Sequence, residues 1–309
     1  LADEVELDYF GIGEHHRPDF AVSSPLVVMA AAAAQTKKIR LGSAVTVLST
    51  EDPVRVYQQF ATADLISKGR IELAAGRGSF IESYPLFGAD LGDYDALYEE
   101  KLALLLQIDA GNPVTWKGRF RPALSKAQIL PRPYGEHLDI WIGTGGTPES
   151  SHRAGILGKP VAYAVIGGQP LRFAPLVEIY RDAFKESGAP ASQQKVAVSG
   201  FGFLADDAKK AKDFFYPYWA HAMAKISKER GFPGPDPESF RFQANGDGAF
   251  FVGSPSEIAE RIVALHGHLR HDRQIFQMDL ANIPQKESLK AIELLGTQVL
   301  PAVRKALGK

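Results

Sequence analysis

The 309-residue chain contains no cysteine. That excludes a disulfide framework, a Cys-based zinc site, an iron–sulfur cluster and a thiol nucleophile. A charge excess is missing too: 35 Lys and Arg stand against 36 Asp and Glu, a formal net charge of -1. Nothing in the bulk composition therefore points to nucleic acid or an anionic membrane surface as partner. Long apolar runs are also absent. The longest, Leu26 to Ala34, is far shorter than the roughly 20 residues of a bilayer-spanning helix. The opening Leu1-Ala2-Asp3-Glu4-Val5-Glu6-Leu7 has neither an initiator Met nor the order of a signal peptide. The expected address is cytoplasmic, with no membrane partner.

What is present is ordinary globular material, 45% hydrophobic and 23% charged, enough for a large core. Strand-length apolar stretches alternate with helix-period segments, the order of parallel βα units. Seven strands are expected: Tyr9–Gly13, Ile39–Leu48, Ile71–Ala75, Ile140–Thr144, Val161–Val165, Val196–Phe203 and Ile275–Leu280. Asp52-Pro53 and Ser254-Pro255-Ser256-Glu257 announce helix starts, and a last helix is expected over roughly Lys286 to Ala306. Val114–Leu138 reads as an inserted hairpin or long loop. The Gly- and Pro-rich run within Ile226–Gly248 predicts irregular structure, a lid or a surface excursion. The fold class is α/β, a TIM (β/α)8 barrel with insertions, in a single domain over 1–309. Its first strand is expected to precede residue 1, since the opening segment looks like the second half of a helix.

Chemistry concentrates where strands end. Phe10-Gly11-Ile12-Gly13-Glu14-His15-His16 ends a strand in an acid and two imidazoles. Alternation places Glu14 and His16 on one side and His15 on the other. One imidazole then faces a barrel mouth while its neighbour packs; two structural histidines suit the spacing as well. In Gly76-Arg77-Gly78 the guanidinium offers a planar fork to a phosphate or carboxylate, though an ordinary turn with a solvated Arg fits too. Gly145-Gly146-Thr147-Pro148-Glu149-Ser150 combines glycines, an N-cap Thr, Pro at the first helical position and a first-turn Ser. A helix start with hydroxyls beside it suits a phosphate monoester, or is simply a cap. Gly167-Gly168 permits another close backbone approach or a sharp turn. No Gly-x-Ser-x-Gly elbow occurs, and no histidine spacing calls for a metal.

Together these pieces resemble the bacterial luciferase-like family of flavin-dependent monooxygenases, and within it a group known only as oxidoreductases. The match runs through Glu14-His15-His16, Leu41 to Leu48 with Asp52-Pro53-Val54-Arg55, Asp64 to Arg70, Gly76-Arg77-Gly78, Phe87-Gly88 and Thr147-Pro148-Glu149-Ser150. The resemblance implies a TIM barrel that binds FMN, as FMNH2 during turnover, and uses oxygen to oxidise a small organic substrate. A separate flavin reductase supplies the reduced flavin, and homodimers or higher homo-oligomers are common. It further implies that His15 is a general base titrating near neutrality, that Arg77 contacts the flavin phosphate, and that Thr147 and Ser150 lie around the same phosphate. Ala44-Val45 takes the place of a non-proline cis peptide under the flavin ring. Glu14, Gly78, Gly145, Gly146, Gly167 and Gly168 complete the expected cofactor contacts, with no metal ligand.

The chain departs from luciferase at Gly146, where luciferase has an acid, and at Ser83, where an acid is replaced and Glu82 stands adjacent. Light emission and a long-chain aldehyde therefore do not carry over. A deazaflavin-dependent dehydrogenase of the same superfamily and a non-catalytic flavin-binding protein are the competing expectations, with a metal-dependent hydrolase on the same barrel more distant. On the first expectation, His15→Ala retains FMN and loses product formation; unchanged turnover in that variant refutes the role of His15.

Overall fold

The computed structural model describes residues 1–308. They form two compact units, one Asp8–Gly143, the other Leu1–Leu7 with the chain from Thr144 onward. Each is built from parallel strands and helices in alternation.

In the first unit the order is β1 (Tyr9–Ile12), α1 (Pro25–Gln35), β2 (Arg40–Ser43), β3 (Thr46–Val47), α2 (Pro53–Ser67), β4 (Ile71–Gly76), α3 (Ser83–Leu86), α4 (Tyr94–Ala110), β5 (Val114–Trp116), β6 (Leu124–Ala127) and β7 (Asp139–Thr144). β1 pairs in parallel with β2, β2 with β4 and β4 with β7. β5 and β6 form an antiparallel hairpin, so the insertion resolves to the hairpin alternative. β4 is buried along its whole length, which explains its uninterrupted apolar character.

The expected strand Ile39–Leu48 is broken. Leu41 faces Ile71, a spacing of 30, whereas Thr46 faces Ala75, a spacing of 29. The register thus slips by one residue across Ala44–Val45, and that bond is cis, as the resemblance implies. Caps behave as read from the sequence. The Asp52 carboxylate accepts from Val54 and Arg55 N–H groups at 2.9 and 3.2 Å, and α2 stops at Lys68 and Gly69, both at positive φ. Buried Asp64 then accepts from Ile71 N–H at 3.2 Å and Tyr134 N–H at 3.0 Å, tying the start of β4 and the loop ahead of β7 to the helix end.

The second unit runs α5 (Pro148–Ile156), β8 (Val161–Ala164), α6 (Ala174–Ser187), β9 (Val196–Leu204), α7 (Ala208–Arg230), α8 (Pro237–Ala244), β10 (Phe251–Gly253), α9 (Pro255–Leu269), β11 (Arg273–Gln277), α10 (Gln285–Leu294) and α11 (Leu300–Ala306). β9 is its organising strand, pairing in parallel with β8, β10 and β11. The Gly- and Pro-rich run is irregular as expected and links α7, which extends to Arg230, to α8, which Asp236 caps by accepting from Glu238 and Ser239 N–H at 2.9 Å. Two expectations need correction here. The last strand begins at Arg273 rather than Ile275, and the long final helix is interrupted by a π-helical turn at Leu295–Val299. The short strand β10 escaped notice because three residues carry no periodicity. Among the described residues no helix is long and apolar enough to cross a membrane.

α5 packs closely on α6 through Gly155. A Cβ there stands 2.5 Å from Tyr180 O and 2.6 Å from Ala183 Cβ, and backbone cannot yield as a flexible side chain does. Gly155→Ala is expected to destabilise the protein by about 1–3 kcal/mol, the usual cost of overpacking. An unchanged denaturant midpoint contradicts that packing.

Candidate active site

Loops leaving the carboxyl ends of β1, β3 and β4 enclose a cavity within the first unit. Glu14, His15, His16, Val47, Gly78, Ser79, Phe80, Glu82 and Ser83 line it. Strand alternation acts as the sequence predicts: Glu14 and His16 meet, with His16 Nε2 2.9 Å from Glu14 Oε1, and His15 lies apart from that pair.

His15 stacks on Phe20 with ring centroids 3.8 Å apart and meets Phe80 edge-on at 5.6 Å. Burial between these rings pushes its pKa from 6.5 down to about 4, helped by the Arg17 guanidinium. The expectation of a base titrating near neutrality is therefore corrected: apolar walls penalise the imidazolium, and His15 is neutral at pH 7. Arg17 is ion-paired with Glu82, lies 3.3 Å from Asp19, and sits over the Phe80 ring at 4.5 Å.

Both oxygens of Glu14 are engaged by the protein. It is 6% exposed, Oε1 meets His16, and Oε2 accepts the Val47 N–H at 2.8 Å. Glu14 nonetheless forms part of the cavity lining. Behind it, burial and the Glu14 charge push the Glu51 carboxyl up. Lys101, lowered by its own burial, donates to Ser49 O at 2.7 Å.

The turn at Ala44–Val45 rests on small residues. A Cβ on Gly76 stands 2.5 Å from a Val45 methyl, and one on Gly143 stands 2.7 Å from the other. The space over Gly76 is thus filled by Val45, while Ala44 is exposed. Arg77 is ion-paired with Asp95 and lies over the Tyr94 ring at 5.3 Å. Tyr94 OH donates to Gly78 O at 3.0 Å, and Gly78 takes a left-handed φ of 80°. Arg77 is not among the cavity's lining residues.

In the second unit Thr147 caps α5 as expected. Its Oγ1 accepts from Ser150 N–H at 3.2 Å and donates to Ser150 Oγ at 3.1 Å. Ser151 Oγ donates to Thr147 O at 3.0 Å and accepts from Tyr163 OH at 3.0 Å. Gly145 faces open space, whereas the place of a Gly146 side chain is filled by the Phe173 ring. Gly167 and Gly168 form the turn after β8, where Gly168 N–H donates to Gln243 Oε1 at 3.0 Å. Phe20, Phe80, Arg17, Asp95 and Gln243 were missed from the sequence. Only Arg17 and Phe80 carried a signal, standing next to motifs already singled out.

Because protonating His15 opposes folding, stability is full above pH about 6.5 and falls as the pH drops toward about 4. His15→Gln is expected to flatten that part of the stability profile; equal pH slopes for the two proteins contradict the burial of His15.

The family model described as luciferase-like monooxygenase matches residues 1–271. Limonene 1,2-monooxygenase of Rhodococcus erythropolis is 25% identical, covering 99% of this chain and 80% of its own. Among solved structures, the oxygenating constituent of 3,6-diketocamphane monooxygenase from the CAM plasmid of Pseudomonas putida, a type II Baeyer-Villiger monooxygenase in complex with FMN, aligns with a TM-score of 0.78. It is 23% identical over 98% of this chain and 90% of that one. An F420-dependent secondary alcohol dehydrogenase in complex with an F420-acetone adduct aligns at 0.76, 19% identical over 98% and 92%. These likenesses show a common TIM-barrel fold. With the family match covering most of its length, the chain belongs to the luciferase-like monooxygenase family.

Proposed function

We propose that the chain is an FMN-dependent monooxygenase oxidising a small organic substrate with molecular oxygen, with reduced flavin supplied by a separate flavin reductase. The observation that carries this reading is the cavity at the carboxyl ends of β1, β3 and β4, walled by two imidazoles, in a luciferase-like chain. That end of parallel strands is where barrel enzymes carry their chemistry. Bound FMN supplies the reaction with oxygen, and the protein supplies binding, orientation and protons.

The residues present fit such a group. Ser83 Oγ is buried in the cavity wall without a hydrogen-bond partner, as a site built for a polar ligand edge requires. In this reading the Ala44–Val45 turn supports the flavin ring, and Arg77 with Gly78 takes the phosphate. The fork of Arg77 is held in place by Asp95 and the Tyr94 ring and suits a phosphate geometrically. His15, neutral at pH 7, accepts a proton, and Phe20 and Phe80 keep water from its ring. In the second unit, Gly145, Gly146, Thr147 and Ser150 at the α5 start suit an anion, and Gly167 and Gly168 offer backbone at close approach. A homodimer in the cytoplasm is the proposed assembly and address.

A deazaflavin-dependent dehydrogenase is the second reading, favoured by the likeness to the F420-dependent alcohol dehydrogenase. Oxygen uptake with reduced FMN over a panel of small organic substrates supports the first reading. Hydride transfer to a deazaflavin without oxygen uptake replaces it with the second. For the phosphate, Arg77→Ala is expected to weaken FMN by about tenfold or more, the scale of a hydrogen bond to a charged group, and riboflavin far less. Equal losses for the two ligands remove Arg77 from that role.

A further inference from the structure

We infer that Glu14 is a positioning residue: one carboxylate fixes the His16 ring as its Nε2–H tautomer and, through its other oxygen, holds the backbone at the end of β3. The assignment rests on which groups can donate. Oε2 receives the Val47 N–H at 2.8 Å, and that amide has no acceptor capacity. Oε1 stands 2.9 Å from His16 Nε2. A carboxylate only accepts, so the proton of that contact belongs to Nε2, and in the neutral ring Nδ1 is the acceptor. Both partners are almost sealed, with side chains 9% and 3% exposed, so water cannot stand in for either bond.

The two imidazoles of the cavity are therefore set differently. His15 is held by aromatic rings, whose contacts leave its tautomer unspecified. His16 meets the Phe87 ring edge-on at 5.1 Å and takes its tautomer from a charge. The charged neighbour of the pair is Glu51, from the turn after β3, which in turn stands near Lys101 of α4. Neither is hydrogen-bonded to His16, so Glu14 alone decides its tautomer. The same carboxylate joins the end of β1 to the strand that follows the Ala44–Val45 turn, so losing it disturbs the surface proposed to support the flavin ring. That consequence for ligand binding rests on the proposed function; the tautomer does not.

Glu14→Gln is the discriminating variant, because it keeps the shape and reverses one bond. The amide oxygen keeps the Val47 N–H, and the amide NH2 then faces His16 Nε2, which must become an acceptor. Histidine 15N NMR of the flavin-free protein is expected to show His16 as Nε2–H in the wild type and Nδ1–H in the variant, with His15 unchanged. Glu14→Ala, which loses the Val47 anchor as well, is expected to bind FMN and riboflavin both about tenfold more weakly, since the loss lies at the ring and not at the phosphate. Wild-type His16 found as Nδ1–H overturns the inference, a measurement that needs no variant to fold. The same tautomer in wild type and Glu14→Gln overturns it as well, and equal FMN affinity in a flavin-binding wild type and Glu14→Ala overturns the anchoring of β3. A wild-type protein that binds neither flavin refutes the proposed function, and the tautomer exchange still decides the role of Glu14.

Discussion

The architecture of the candidate site depends on how closely the Val45 side chain packs against two strands. Its methyls occupy the positions that side chains on Gly76 and Gly143 would take. Interiors tolerate little extra volume, so any residue larger than glycine at either strand end pushes the Ala44–Val45 turn out of place. With the turn seated, Ala44 is exposed, β3 resumes its pairing one residue out of step, and the Val47 N–H arrives at the buried Glu14 carboxylate. Packing, register and a charge-assisted hydrogen bond thus converge on four residues of one turn.

Two adjacent histidines show how far environment outweighs residue type. His15 loses its proton affinity to stacked rings and a nearby guanidinium, while His16 is locked by a carboxylate. The alternation of side chains along an extended chain is enough to separate them. Arg77 shows the same dependence on neighbours: Asp95 and Tyr94 orient its fork, and neither is close to it in sequence.

Much of this was legible in the residues. Continuous apolar runs marked the buried strands β4 and β9, Asp52, Thr147 and Ser254 marked helix starts, and Glu14-His15-His16 marked the cavity. The cis bond at Ala44–Val45 came from family resemblance, because no local pattern distinguishes it. What stayed hidden depends on distant partners. The Glu14 carboxylate is held by His16 and Val47, the space over Gly76 is filled by Val45, and the neutrality of His15 comes from Phe20 and Phe80. α8 was missed because prolines and glycines at its edge masked eight helical residues capped by Asp236.

Gln243 lies on α8, and its amide reaches the backbone of the turn after β8 at Gly168. The excursion between α7 and β10 is therefore anchored to a strand-end loop by a bond whose reach is one side chain long. A change in the length of this excursion must either preserve that anchor or let the turn settle elsewhere, so the excursion bears directly on the geometry of a neighbouring loop.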